Sequence, residues 1–424
     1  MSTVLDRFLA FLDASPTPHH AVAEAARQLL AAGYTEVSAT EAAWPTEPGA
    51  RLLLRQAGTL FAVRVGAAPP DRAGFRLIAA HTDSPNLRVK PQPVLRSHGY
   101  VRLGVEAYGG VQVATWVDRD LGLAGAVHLR GDGGTVRTEL VDLRRPLLRV
   151  PTLAIHLNRG VNEDGLKLNA QTQLPAVLGL EGEGEGDPLR ALLGEALGCP
   201  PGDVVSWDLS LYDLTPAALG GANREFVFSA RLDNLGSSHA ALEALLQAGD
   251  ADPTAVIALF DHEEIGSRTA RGADSRAIET LLRRLCGSDG LALDLALART
   301  TMLSADMAHA VHPAFADRSE PEHAPRINGG PAIKLNSNQR YTTEGSTSAA
   351  FALLCEQAEV PVQWFVNRTD LGCGSTVGPM LASRLGVQAL DVGNPMLSMH
   401  SSREQAGAGD HPLMIRAMAR FLAT

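Results

Sequence analysis

Short apolar runs alternate with amphipathic stretches along the chain, and this alternation predicts its secondary structure. Residues 1–80 predict two helices followed by strands, because the proline-containing segment 15–18 ends the first helical pattern and caps the second. The run Phe75–Ala80 is short and largely apolar, which predicts a buried strand.

The pattern changes between residues 91 and 225. Short β-like runs separated by glycines replace the helical periodicity, which predicts an inserted, mainly-β domain. After Phe226 strands again alternate with longer helices. We therefore predict an α/β domain built from residues 1–90 and 226–424, with a mostly parallel sheet and helices on both faces.

Five apolar runs are each followed by side chains that can bind a metal. They are Phe75–Ala80 before His81 and Asp83, Phe226–Ala230 before Asp233, Ala255–Phe260 before Glu263 and Glu264, Thr301–Ala305 before Asp306 and His309, and Gly386–Val392 before His400. One acid pair alone is more often a solvated turn, so the inference rests on the recurrence. Because ligands bind beyond the carboxyl ends of strands in α/β sheets, the pattern predicts one convergent cluster.

The residue types in this cluster suit two metal ions better than one tetrahedral ion. Nitrogen and oxygen donors without thiolate favour zinc, and cobalt and manganese stay open. Asp233 is the natural bridge, since it leaves one histidine and one acid for each ion. The predicted ligands are His81, Asp233, Glu264, Asp306 and His400.

Two further acids beside these ligands predict a hydrolytic site. Asp83 lies two residues after His81 and is expected to accept the imidazole N–H, which fixes the tautomer. Glu263 is then left as the general base that takes a proton from a water activated by the cations.

Composition excludes several other classes of function. The chain has 424 residues and a formal net charge of −10, which argues against nucleic acid or an anionic membrane as its main partner. The four cysteines are widely spaced, as expected for reduced thiols in a cytoplasmic protein. No apolar stretch reaches the roughly 18 residues that span a membrane, and the N-terminus predicts a helix instead of a signal peptide.

The motifs together resemble the M18 family of aminopeptidases, the aspartyl aminopeptidase group, nearly from end to end. The resemblance implies a di-zinc exopeptidase with a protease domain and an inserted dimerisation domain. It also implies homo-oligomers in which dimers assemble into a tetrahedral dodecamer. The motifs that carry it are His81–Pro85, Asp233-Asn234, Asp261–Ser267, Ser304–Pro313 and Met399–Ser401.

The resemblance also implies residues that bind the peptide. His156 resembles a histidine that a neighbouring subunit sends into the active site. Lys334 resembles a lysine placed near an acidic substrate side chain, and Tyr341 in the same segment is assigned to the substrate site with it. His309 either lines the pocket or supports Asp306.

Removal of an N-terminal residue from peptides, Asp or Glu in first place, is the leading functional hypothesis. A related two-metal hydrolase, such as a carboxypeptidase or deacylase, is the second. An inactive peptide-binding cage is the third, and the intact set of predicted ligands and Glu263 disfavours it.

Overall fold

The computed structural model describes residues 3–182, 186–287 and 290–424. The helices are α1 (Val4–Ala14), α2 (Pro18–Ala31), α3 (Pro70–Ala73), α4 (Val161–Asp164), α5 (Ala170–Gln173), α6 (Pro188–Leu197), α7 (Leu232–Gln247), α8 (Ala277–Cys286), α9 (Gly290–Ala298), α10 (Gly345–Gln357), α11 (Val377–Leu385) and α12 (Asp410–Leu422).

Within the described residues, the following strands form three sheets. They are β1 (Thr35–Glu36), β2 (Arg51–Gln56), β3 (Thr59–Arg64), β4 (Phe75–His81), β5 (Asn86–Ser97), β6 (Tyr100–Tyr108), β7 (Leu121–Arg130), β8 (Val136–Leu148), β9 (Ala176–Leu180), β10 (Val204–Asp213), β11 (Ala218–Gly220), β12 (Phe226–Ser229), β13 (Thr254–Phe260), β14 (Thr301–Ala305), β15 (Ala308–His309), β16 (Ala332–Leu335), β17 (Gln363–Val366), β18 (Gln388–Gly393), β19 (Pro395–Leu397) and β20 (Glu404–Gly407).

The chain divides into two compact units. The first comprises Met1–Asp83, Ala217–Met399 and Glu404–Thr424, and the second comprises Ser84–Pro216 and His400–Arg403. The sequence analysis placed the boundaries at 90/91 and 225/226, which differ from these divisions. Position 91 lies inside the continuous strand β5, and β11 before position 225 pairs with β12 of the first unit.

A nine-stranded sheet forms the centre of the first unit, in the order β1-β2-β3-β13-β4-β14-β18-β16-β17. The central strands β13, β4, β14 and β18 run parallel, whereas β3 and β16 flank them antiparallel. The prediction of an α/β fold with a mostly parallel sheet is confirmed.

The central strands are mostly apolar because both faces of the sheet are covered. In β4, Ile78 and Ala80 enter the core that α2, α7 and α12 share, whereas Leu77 and Ala79 enter the core on the other face with α8 and α11. Strands buried on two sides lose the polar alternation of a half-exposed strand. Removing one such side chain, as in Ile78→Ala, is expected to destabilise the unit by about 2–5 kcal/mol.

A separate five-stranded sheet lies in the same unit, in the order β11-β12-β20-β19-β15. Its strand β12 precedes Asp233, so this ligand candidate does not follow a strand of the central sheet as the sequence analysis assumed. The apolar run Phe226–Ala230 identified a buried strand, but hydrophobicity does not specify which sheet a strand joins.

The second unit contains a six-stranded antiparallel sheet in the order β8-β7-β10-β5-β6-β9. Its apolar core includes Leu123, Leu209 and Leu211 from the sheet, with Leu189 and Leu193 from α6. The prediction of a mainly-β segment is confirmed, while its role in dimerisation stays a prediction. Within the described ranges, no helix has the length and hydrophobicity of a membrane-crossing segment.

Candidate metal centre

His81 is the last residue of β4 and is almost fully buried. Its Nε2 atom lies 3.5 Å from Oδ1 of Asp233 and 3.7 Å from Oδ1 of Asp306. Bonds of about 2.0–2.2 Å around a tetrahedral zinc ion place the ligand atoms roughly 3.3–3.6 Å apart. The contact between His81 and Asp233 has the spacing of two ligands to one ion, and the contact between His81 and Asp306 is slightly longer.

Glu264 lies close to His81 and Asp233. One ligand atom each from His81, Asp233 and Glu264 lies within 4.8 Å of the others. Asp233 lies next to both His81 and Glu264, which fits the bridging position that the sequence analysis gives it. The bridge itself stays a prediction.

Neighbouring polar groups hold Asp233 in place. Its backbone N–H donates to the carboxylate of Glu404 at 3.1 Å, and the side-chain amide of Asn234 donates to the carbonyl of Ala305 at 2.8 Å. Glu404 is buried and comes from β20. Sequence reasoning missed Glu404, because an acid in a short strand gives no sign that it accepts a ligand's backbone amide.

Asp83 contacts His81 as well as Glu263 and Glu264. Its two carboxylate oxygens accept the backbone N–H groups of Glu263 and Glu264, each at 3.1 Å. Nδ1 of His81 lies 3.0 Å from the backbone carbonyl oxygen of Asp83 and 3.4 Å from its carboxylate. The carbonyl is thus the nearer acceptor for the imidazole N–H, whereas the sequence analysis assigned this contact to the carboxylate.

Glu263 lies beside the group that Asp233 and His81 form. Its carboxylate Oε2 is 4.0 Å from Nε2 of His81, and its side chain is 16% exposed. Burial, together with the charges of Asp306, Asp83 and Asp233, raises the pKa of Glu263 to about 8. A carboxylate at this place is close enough to exchange a proton with a water held by the cluster.

The electrostatics of the cluster fit a divalent cation. Burial and then the charge of Asp233 raise the pKa of Glu264 well above its ordinary value. Burial lowers the pKa of His81, but the carboxylates of Asp233, Asp306 and Asp83 outweigh it and raise that pKa well above normal. Buried acids that crowd around one imidazole need positive charge, and a bound metal ion supplies it.

Lys334 lies beside Asp306 and is only 2% exposed. Its Nζ donates to the carbonyl of Met307 at 3.0 Å and lies 3.6 Å from Oδ2 of Asp306. The Tyr341 ring centroid is 5.1 Å from the same Nζ. Lys334 therefore neutralises part of the acidic charge in this structure, and its contact with a substrate stays a prediction.

Asp391 is a buried acid that the sequence analysis did not include. It faces Lys334 across the pairing of β18 with β16 and accepts hydrogen bonds from Ser304, Thr342 and Thr376. Burial raises its pKa, although the charge of Lys334 opposes that shift. An isolated Asp in an apolar strand gave no functional signal.

Three further predicted residues make other contacts within their own units. His400 belongs to the second unit, where its Nδ1 is 3.2 Å from the carbonyl oxygen of Gly110. His156 also belongs to the second unit and is exposed in the turn Ile155–Leu157. His309 is exposed in the first unit, with its ring edge-on to Phe365. Their proposed roles stay predictions.

The sequence matches the family described as Aminopeptidase I zinc metalloprotease (M18) over residues 11–422. A protein of Pseudomonas aeruginosa (strain LESB58) with the name Probable M18 family aminopeptidase 2 is 48% identical over 419 residues, 98% of this chain and 96% of that protein. The chain belongs to the M18 aminopeptidase family. It is therefore a metalloaminopeptidase, a hydrolase of peptide bonds, in a family of zinc enzymes.

Solved structures of similar proteins share the whole fold of this M18 chain. The structure described as the Ape4 and Nbr1 complex has a TM-score of 0.95 at 39% identity and covers 99% of this chain and 85% of that chain. The structure of the S. cerevesiae mApe1 dodecamer has a TM-score of 0.86 at 26% identity and covers 99% and 96%.

Proposed function

We propose that this M18 aminopeptidase removes acidic N-terminal residues, Asp or Glu, from peptides with two zinc ions and with Glu263 as general base. The observation that carries the proposal is the position of the Glu263 carboxylate, 4.0 Å from Nε2 of His81 in a cluster of buried acids. In this proposal His81, Asp233, Glu264 and Asp306 hold the metal, and His400 stays a further predicted ligand.

The protein's own groups divide the work as follows. Bound zinc supplies a Lewis acid that polarises the scissile carbonyl and makes water more acidic. Glu263 accepts a proton from the attacking water and returns it to the leaving amine. Asp83 fixes the backbone of Glu263 and Glu264 through their N–H groups, so the base and the ligand keep their places.

Lys334 supports the proposed preference for acidic residues. It is the buried cation beside Asp306, and a desolvated ammonium attracts a substrate carboxylate more strongly than a solvated one. For this role, the positive charge of Lys334 must still attract a substrate carboxylate although Asp306 and the facing Asp391 already lie beside it. A lysine that only neutralises these two acids would leave the enzyme without acidic selectivity.

Homo-oligomeric assembly and a cytoplasmic location are further parts of the proposal. The similar mApe1 of S. cerevesiae is described as a dodecamer, which supports dimers assembled into a tetrahedral dodecamer here. The four cysteines are free thiols, which agrees with a reducing compartment. Light scattering of the purified protein measures the assembly directly, and a monomer at working concentration would contradict it.

A panel of chromogenic aminoacyl substrates carrying Asp, Glu, Leu or Lys tests the activity and the preference together. We expect the highest kcat/KM with Asp or Glu and none with the N-acetylated forms, because an aminopeptidase requires a free α-amine. Cleavage of the acetylated forms would favour a deacylase or another two-metal hydrolase. Equal rates on all free substrates would remove the acidic preference but keep the aminopeptidase.

A further inference from the structure

We propose that Asp261 is a positioning residue that, together with Asp83, sets the orientation of Glu263 and Glu264. The inference rests on the proposed function, since it concerns the base and the metal ligand of that reaction. We call residues 261–266 the acidic turn. It follows directly on β13, so its conformation decides where the two glutamate side chains point.

Three successive backbone N–H groups of the acidic turn donate to carboxylates. The N–H of His262 donates to Oδ1 of Asp261 at 2.9 Å, and those of Glu263 and Glu264 donate to Asp83 at 3.1 Å. Asp83 therefore holds the glutamates themselves, whereas Asp261 holds the residue just before them. The two carboxylates thus accept different amides of the same turn.

His262 is the residue at which the acidic turn changes direction. It has a left-handed backbone with φ 66°, a conformation that costs a non-glycine residue free energy. The hydrogen bond from its N–H to Asp261 stabilises this conformation. The ring of His262 adds a second restraint, since its Nδ1 lies 2.8 Å from the hydroxyl of Thr269.

Asp261 is itself fixed by its surroundings. It is 1% exposed, its N–H donates to the Thr59 hydroxyl at 2.9 Å, and that hydroxyl donates to the carbonyl of Arg271 at 2.7 Å. The guanidinium of Arg271 lies 3.6 Å from Oδ2 of Asp261, which gives the buried carboxylate a cation. A buried acid with a partner charge and a backbone amide to accept is a defined local structure.

The β2–β3 turn leaves space for this carboxylate. A Cβ atom built on Gly58 would lie 2.3 Å from Oδ2 of Asp261, so any larger residue at position 58 would displace the acid. The carbonyl of Gly58 also accepts the hydroxyl of Thr82, next to His81. The turn thus supports Asp261 and the end of β4 at once.

Asp261→Ala and Asp261→Asn test the proposal in the zinc-loaded full-length protein. Because Ala removes the acceptor for the His262 amide, we expect kcat to fall about tenfold or more with KM nearly unchanged. We expect the affinity for zinc, measured by competition with a chromogenic chelator, to fall in the same variant, since Glu264 follows in the same turn. Asn keeps an oxygen that can accept the amide, so it is expected to recover most of kcat.

Asp410→Ala is the matched control. Asp410 is equally buried in the same unit and also accepts backbone amides, but its partners are Asn328 and Gly330 instead of the acidic turn. We expect this variant to lose stability in urea unfolding while kcat stays near the wild-type value. Equal losses of kcat in Asp261→Ala and Asp410→Ala would mean that Asp261 has only a structural role.

Two further results complete the test. If Asp261→Ala does not fold, Arg271→Gln at the partly exposed partner decides instead, with a smaller loss of kcat at unchanged KM as the expected result. Wild-type kcat and zinc affinity in folded Asp261→Ala, or in Arg271→Gln where Asp261→Ala does not fold, would overturn the proposal. A wild-type protein without aminopeptidase activity would instead contradict the proposed function, and the zinc competition would still test the role of Asp261.

Discussion

A buried pair of histidines predicts that acid destabilises the first unit of this protein. Nδ1 of His239 on α7 lies 2.8 Å from Nε2 of His411 on α12, and both rings are almost fully buried. Phe8 of α1 stacks on the His411 ring, and Arg7 pairs with Glu243 beside His239. The histidine pair therefore lies where α1, α7 and α12 pack together. Protonating either ring places a charge in the core that these helices share.

The size of the effect follows from the pKa of His239. Burial, and then the positive charge of Arg7, lowers this pKa from 6.5 to about 3 in the folded protein. Because the unfolded chain binds a proton at about pH 6.5 and the folded chain does not, stability falls as the pH falls from about 6.5 towards 3. Between about pH 7 and pH 5 the loss from His239 is about 2 kcal/mol.

His411 acts in the same direction. Burial and the charge of His239 lower its pKa well below normal, although Glu243 opposes that shift. The total loss in acid is therefore expected to exceed the contribution of His239.

Urea unfolding at about pH 7 and about pH 5 measures this difference at a fixed protein concentration. We expect His239→Gln to reduce the pH-dependent loss by about 2 kcal/mol, because glutamine does not titrate, whatever its effect on absolute stability. Phe351→Leu is the control. It removes core packing without removing a titrating group, so it should lower the free energy of unfolding equally at both pH values. An unchanged pH dependence in His239→Gln would refute the reasoning.

Three predictions concern the active site. Glu263→Gln is expected to lower kcat by about 10²- to 10⁴-fold while bound zinc, measured by elemental analysis, stays constant; normal turnover would mean that another group is the base. Lys334→Met is expected to lower the ratio of kcat/KM for Asp over Leu substrates by about 30-fold or more, and an unchanged ratio would assign Lys334 to Asp306 alone. Dialysis against a chelator should abolish activity, and added zinc, cobalt or manganese should restore it; activity that survives complete metal removal would exclude a metal mechanism.

Much of the fold could be predicted from the sequence, because the spacing of apolar residues differs between helices and strands. The run Thr301–Ala305 was predicted as a strand and is β14 without change, and Ala255–Phe260 differs from β13 by one residue. Largely apolar runs of this length occur where a sheet is covered on both faces. The antiparallel character of residues 91–225 was also readable, since glycines at hairpin spacing separate short strands there.

The candidate site was less predictable, because it depends on backbone contacts between distant segments. The sequence indicated Asp83 and Glu263 as a pair of acids, but not that Asp83 would accept the N–H of Glu263. It gave no sign of Glu404, which accepts the N–H of Asp233. Which backbone group such a carboxylate accepts depends on the path of the folded chain, and the pattern of side chains in the sequence does not specify that path.

Zinc content and zinc position test the central claim most directly. Crystals of the zinc-loaded protein, with anomalous scattering recorded at the zinc edge, are expected to show two ions per chain, with Asp233 between them and with His81, Glu264 and Asp306 as ligands. No ion at these side chains in excess zinc, or ions bound only elsewhere on the chain, would contradict the account.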